Sequence, residues 1–298
     1  MHEKQRSEIL IMSNDKRIFL HLGARGNLGP ALELVLRRNP EINSKSGLTC
    51  PVEKVHKPVL RELMSGKHFA SETKVLEALG VSHGSSRVFI SNQHAWASPP
   101  NVLDKGDVYP QATKKCTALA TAFPTWHVVL MIEIMPIHEL LLSFENEQLN
   151  KAIKATDWAD LYEFSWSELV KNISQRMPSI SIEIIPRTVV PYRLAPILEL
   201  VSGLSFPDRL NNEYHLAFHM ADPIGRKLLK GLLHRADYRG KHLPDAELRV
   251  VTQHFSPHHS SAEANALGLD SQTRELFDLS YQSDLEKLRG LERVRIWN

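Results

Sequence analysis

The chain has 298 residues, 42% of them hydrophobic, and its 36 Lys and Arg nearly balance 34 Asp and Glu for a net charge of +2. That length and apolar content suit one large core or two modest ones, and near-neutrality excludes the dense positive field of a nucleic-acid binder. Two cysteines, Cys50 and Cys116, exclude a disulfide framework and lack metal-ligand spacing, which fits a reducing compartment. With neither a signal-peptide core nor a membrane-length apolar run, a soluble cytoplasmic protein is expected.

Residues 1–16 are expected to form a flexible N-terminal arm, and 17–298 a single α/β domain with a helical C-terminal part over about 190–290. The first apolar run, Ile18–Leu22, is long enough for a buried strand and too short for a helix. Gly23, Gly26 and Gly29 punctuate the loop after it, Pro30 reads as a first helical residue, and Leu32, Val35 and Leu36 repeat at helical spacing. Strand, glycine loop and helix start in that order bring backbone N–H groups and the positive helix end to one point, the geometry of a phosphate site. The spacing is not G-x-x-x-x-G-K-[ST], the loop has no lysine, and Pro30 removes a donor.

Helices are predicted over Glu53–Leu63 and Ser71–Leu79, and a second strand over Arg87–Ser91. The exit of that strand, Asn92–Trp96, stands where an open parallel sheet presents its ligands, so it is expected to border the same cavity as Gly23–Gly29. Ala97–Tyr109 reads as a loop and Tyr109–Phe123 as a helix ending before Pro124. His127–Ile134 is a continuous apolar strand, as expected with helices on both faces. A helix over Ile137–Ile153, another over Trp166–Arg176 and a strand over Ile180–Ile185 follow. The C-terminal third is helical over Leu194–Val201, Pro223–His234, Pro244–His254 and Ser271–Leu288, with Val294–Trp297 as a last short strand. Strands alternating with helices, without hairpin signals, predict a parallel sheet flanked by helices.

Some side chains invite a chemical reading. Gly80–Gly84 matches G-x-S-x-G, but a helix precedes it and a strand follows, the reverse of a nucleophile elbow. The groups His254, His258, His259 and His215, His219 lack a cysteine or an H-E-x-x-H frame for zinc, and cap-forming or solvated histidines are the alternative. His21 on the first strand is either a buried histidine bonded to backbone or a ligand contact. His94 is the proton acceptor nearest Gln93 and the candidate base.

The order of these motifs resembles the sulfotransferase superfamily, in particular its divergent bacterial members. The opening Phe19–Ala24 is similar to the family's L-H-x-G strand end, and Leu103–Pro110, Ala118–Pro124, Pro136, Trp166–Val170 with Pro178, and Tyr281–Leu288 follow in the family's order. The resemblance implies a P-loop-NTPase-like three-layer sandwich and the donor phosphoadenosine phosphosulfate, with a small-molecule or glycan acceptor. It implies neither nucleic acid nor membrane as partner, and a homo-oligomer stays open. His21, Gly23, Arg25, Gly26, Asn27 and Ser143 would hold the donor, and His94 would be the base. The family loop reads K-T-G-T-T, which would put its lysine at Gly26, and Gln93 stands where a carboxylate is usual. Arg25 is the nearest cation, and a guanidinium is not interchangeable with a lysine point charge. The family's 3′-phosphate arginine and serine fall at Ile134 and Leu142; Glu133 and Ser143 lie one residue away, and a glutamate there repels a phosphate. Two functions are therefore expected as alternatives: sulfuryl transfer, or a binding or interaction protein on a catalytically inactive sulfotransferase-like scaffold.

Overall fold

The computed structural model describes residues 16–24, 26–67, 69–104, 107–144, 147–155, 161–255 and 268–298. Its strands are β1 (Arg17–Leu22), β2 (Leu48–Thr49), β3 (Arg87–Asn92), β4 (Leu103–Asp104), β5 (Asp107–Val108), β6 (His127–Ile134), β7 (Ser181–Pro186) and β8 (Val294–Ile296). Six of them form one sheet in the order β2-β3-β1-β6-β7-β8, and every pairing is parallel. Phe19 stands between Phe89 and Val129, so β1 is central and the strand order reverses beside it.

The helices are α1 (Leu28–Arg38), α2 (Glu41–Ser46), α3 (Glu53–Met64), α4 (Glu72–Ala78), α5 (Ala112–Thr121), α6 (Ile137–Leu142) and α7 (Glu147–Ala155), followed by α8 (Trp166–Arg176), α9 (Leu194–Ser202), α10 (His215–Met220), α11 (Pro223–His234), α12 (Asp245–Thr252) and α13 (Ser271–Arg289). Alternate strand residues feed two cores. Ile18, Leu20, Val88, Leu130 and Ile182 pack with Leu60, Trp96, Leu119, Trp166 and Phe277. Phe19, Phe89, Val129 and Ile185 pack on the opposite face with Leu32, Val35 and Ile197. The sheet is thus the middle of three layers, which is why β6 is apolar at nearly every position. A smaller cluster around Tyr214, Leu229 and Val251 joins α10, α11 and α12 and meets the second core at Tyr192 and Phe255. Among the described residues no helix is long and apolar enough to cross a membrane.

Several boundaries differ from the sequence reading. Pro30 is the third residue of α1, which starts at Leu28. The stretch 137–153 holds two helices, since the Ser143 backbone N–H and hydroxyl both turn back on α6, the hydroxyl donating to Leu140 O at 2.6 Å. Residues 97–109 carry a 3₁₀ turn at Pro99–Asn101 and the antiparallel pair β4–β5, whose two-residue strands leave no periodic trace. β2 escapes notice for the same reason.

Distant motifs meet at the end of β6. Tyr281 on α13 donates to Ile134 O, and Trp166 Nε1 at the start of α8 donates to Met135 O at 2.7 Å. Asp284, one turn on from Tyr281, accepts the backbone N–H groups of Trp166 and Ser167 at 2.7 and 3.3 Å. A carboxylate at a helix N-terminus satisfies orphan donors and opposes the dipole.

Candidate functional site

The loop after β1 leaves the carboxyl end of the central strand and enters α1, as the phosphate reading requires. What fills it is a side chain of the protein itself. β6 carries Glu133 to this edge, where its Oε1 accepts the Asn27 N–H at 3.2 Å and its Oε2 accepts the Leu28 N–H at 3.0 Å. Asn27 gives α1 no side-chain cap, so Glu133 supplies that cap from the neighbouring strand. Gly26 wraps the carboxylate so closely that a Cβ there would overlap it. Glu133 is fully buried. Burial pushes its carboxyl above the usual range, and the Leu28 N–H, the Arg187 guanidinium and the Asn27 N–H pull against that. Arg187, at the exit of β7, is itself buried and lies 3.9 Å from Glu139.

Gly23 and Gly29 are equally committed. Gly23 has φ +105°, and a Cβ there would lie 2.5 Å from the Trp96 ring. Gly29 backs onto Ser91 Oγ and His21. His21 is completely buried, bonds Ser91 Oγ through Nδ1 at 2.9 Å, and is held neutral by burial, which lowers its pKa to about 4. Its Nε2 finds no hydrogen-bond partner among the described residues. Arg25 lies outside the described residues. Ser143 closes α6 and turns its hydroxyl to Leu140 O.

The described loop residues do not fit the donor that the resemblance implies. A phosphate at the start of α1 would need the N–H groups that Glu133 holds, and would stand against its carboxylate. Among the described residues no cation of the loop offsets that charge, Gly26 occupying the family's lysine position.

His94 lies elsewhere. It is exposed on the turn after β3, where its backbone N–H donates to Asn92 Oδ1 at 3.1 Å and its ring neighbours Phe144 at 6.4 Å. With Asn92 it lines a cavity of about 760 Å³ between α3, the turn after β3, and the start of α5. No described residue of Gly23–Gly29 lines that cavity, which corrects the expectation of a shared one. Trp96 stands between them, one face of its ring on Gly23, its indole N–H donating to Cys116 Sγ and its carbonyl accepting from Lys115 Nζ. A large buried aromatic anchored at both ends makes a wall.

Among the described residues no three His, Cys, Asp or Glu side chains converge as metal ligands. His258 and His259 lie outside the described residues, and His254 bonds the Asp222 carboxylate that caps α11. Comparison with models of protein families, with characterised proteins and with solved structures gives no match for this chain.

The loop's occupant escapes the sequence reading. A lone glutamate inside the apolar run HVVLMIEI was a usable signal, because a carboxylate on a strand buried on both faces requires donors. The cations of the cavity, Lys57, Arg61 and Lys115, gave none, since they sit on helices where lysine and arginine ordinarily face solvent.

Proposed function

We propose that this chain is a sulfotransferase-like protein of P-loop-like fold that binds a ligand without transferring a sulfuryl group. One observation carries the reading: Glu133 occupies the place and takes the hydrogen bonds that a donor phosphate would take. The order of the motifs, and a glycine loop joining a central strand to a helix, support the family resemblance. The loss of the loop lysine agrees with an abandoned donor site, because in such chemistry the cation stabilises charge developing on the leaving phosphate. Its place in the cell, on this reading, is the cytoplasm of a bacterium, in keeping with the free thiols of Cys50 and Cys116.

Calorimetric titration of the unmutated protein with adenosine 3′,5′-bisphosphate, the donor's product, tests this. The expected result is no binding at millimolar ligand. Micromolar binding would overturn the reading and restore the competing one, transfer to a small-molecule or glycan acceptor with His94 as base. That competing reading draws on the position of His94 at the cavity.

A further inference from the structure

The cavity beside β3 has a mixed lining. The cations Lys57, Arg61 and Lys115 share it with the apolar side chains Met64, Pro99 and Pro100, Met64 lying one turn from Arg61 on α3. Lys57 is matched by Glu53 at 2.9 Å. Lys115 reaches Trp96 O at 2.6 Å, and burial lowers its pKa. Arg61 is exposed and has no ion-pair partner among the described residues. Asp104 is the single carboxylate in the lining.

The start of α5 adds to this field. Pro110 and Gln111 line the cavity immediately before Ala112, no side chain caps the helix, and its first turn holds no acidic residue. Tyr109 stands at that entry with φ 55°, its ring packed against Trp96 and Trp166. An arginine fork, a partly desolvated ammonium and an uncapped helix start facing one space favour a tetrahedral oxyanion. A methionine and two prolines in the same lining favour an apolar body attached to it.

The geometry points to a binding site for a small organic phosphate or sulfate monoester, its ionised head between Arg61, Lys115 and the start of α5 and its body against Met64, Pro99 and Pro100. The site is independent of the loop that Glu133 fills, so it stands whether or not the proposed loss of donor binding is correct.

Calorimetry on the full chain with phenyl phosphate, phenyl sulfate, inorganic phosphate and the uncharged benzyl alcohol tests the assignment. Both esters are expected to bind more tightly than inorganic phosphate, and benzyl alcohol is expected not to bind. Arg61→Ala, at an exposed position that does not enter the core, should weaken ester binding about tenfold or more. Glu133→Gln, which keeps the loop filled, should leave it unchanged. Benzyl alcohol binding as well as the esters, inorganic phosphate binding as tightly as they do, full affinity in Arg61→Ala, or no heat from either ester at millimolar concentration would each overturn the proposal. Ester binding that responds to Glu133 but not to Arg61 would place the anion in the loop, overturning this site and the reading of a closed loop alike.

Discussion

Replacing Glu133 with alanine removes both acceptors from the start of α1 at once. The Asn27 and Leu28 N–H groups, bonded at 3.2 and 3.0 Å, then depend on whatever enters the vacated space. A buried donor left without its partner costs about 1–3 kcal/mol, so about 2–6 kcal/mol for the pair, and partial access of water brings the expected loss to about 2–4 kcal/mol. At about 2 °C per kcal/mol for a chain of this size, the melting temperature should fall by about 4–8 °C, read by differential scanning calorimetry. Glu133→Gln should fall between the two proteins, because an amide carbonyl serves one N–H while its NH₂ meets the other. The space left by alanine also has the donors of an anion site. If adenosine 3′,5′-bisphosphate enters it with a dissociation constant of about 1 mM, 10 mM ligand returns about 1.4 kcal/mol, or about 3 °C. The unmutated protein should show no such gain. Equal melting of the alanine variant and the parent, within about 1 °C, would refute the argument, as would an equal ligand shift in both.

Further outcomes follow from other sites. His21 is neutral when folded, with a pKa of about 4 against 6.5, so its contribution is fully present above pH 6.5 and lost as pH falls towards 4. The stabilities of the parent and His21→Asn, measured by urea titration, should therefore diverge by up to about 3 kcal/mol between pH 6.5 and 4, parallel curves refuting this. His242 behaves in the opposite sense: burial pulls its pKa down, and Glu213 at 2.8 Å with Phe206 O at 2.7 Å outweighs it and raises it. Its stabilisation is complete below pH 6.5 and disappears as pH rises through the raised value, so His242→Gln should flatten the alkaline side of the stability profile. Asp284→Ala should cost about 2–4 kcal/mol in urea unfolding by uncapping α8, and an effect below about 0.5 kcal/mol would show that Ser165 suffices. Gly23→Ala should destabilise by about 2 kcal/mol or more, since φ +105° and the Trp96 ring both oppose a Cβ; unchanged melting would mean that the Trp96 wall yields.

The four long strands were legible because a strand covered on both faces must be apolar at nearly every position, and Ile18–Leu22 and His127–Ile134 are. β2 and the β4–β5 pair were not, since two residues cannot display a period. The loop's backbone path could be read from its glycines, but its occupant could not: Glu133 is 105 residues from Leu28, and nothing local in the sequence joins them. His94 could be picked out as a candidate base, whereas its neighbour Arg61 was out of reach for a different reason. Their shared cavity exists only once α3 packs beside the exit of β3.

The two helix starts held by distant carboxylates differ in what each has of its own. Ser165 bonds the Glu168 N–H and caps α8 locally, so that helix has a start signal before Asp284 arrives. Asn27 offers α1 no such bond. On the ribosome the N–H groups at the entry to α1 therefore wait through the synthesis of about a hundred further residues for their acceptor. The first helix of the fold has its end completed only when β6 docks beside β1, and until then that end is open to any anion that reaches it.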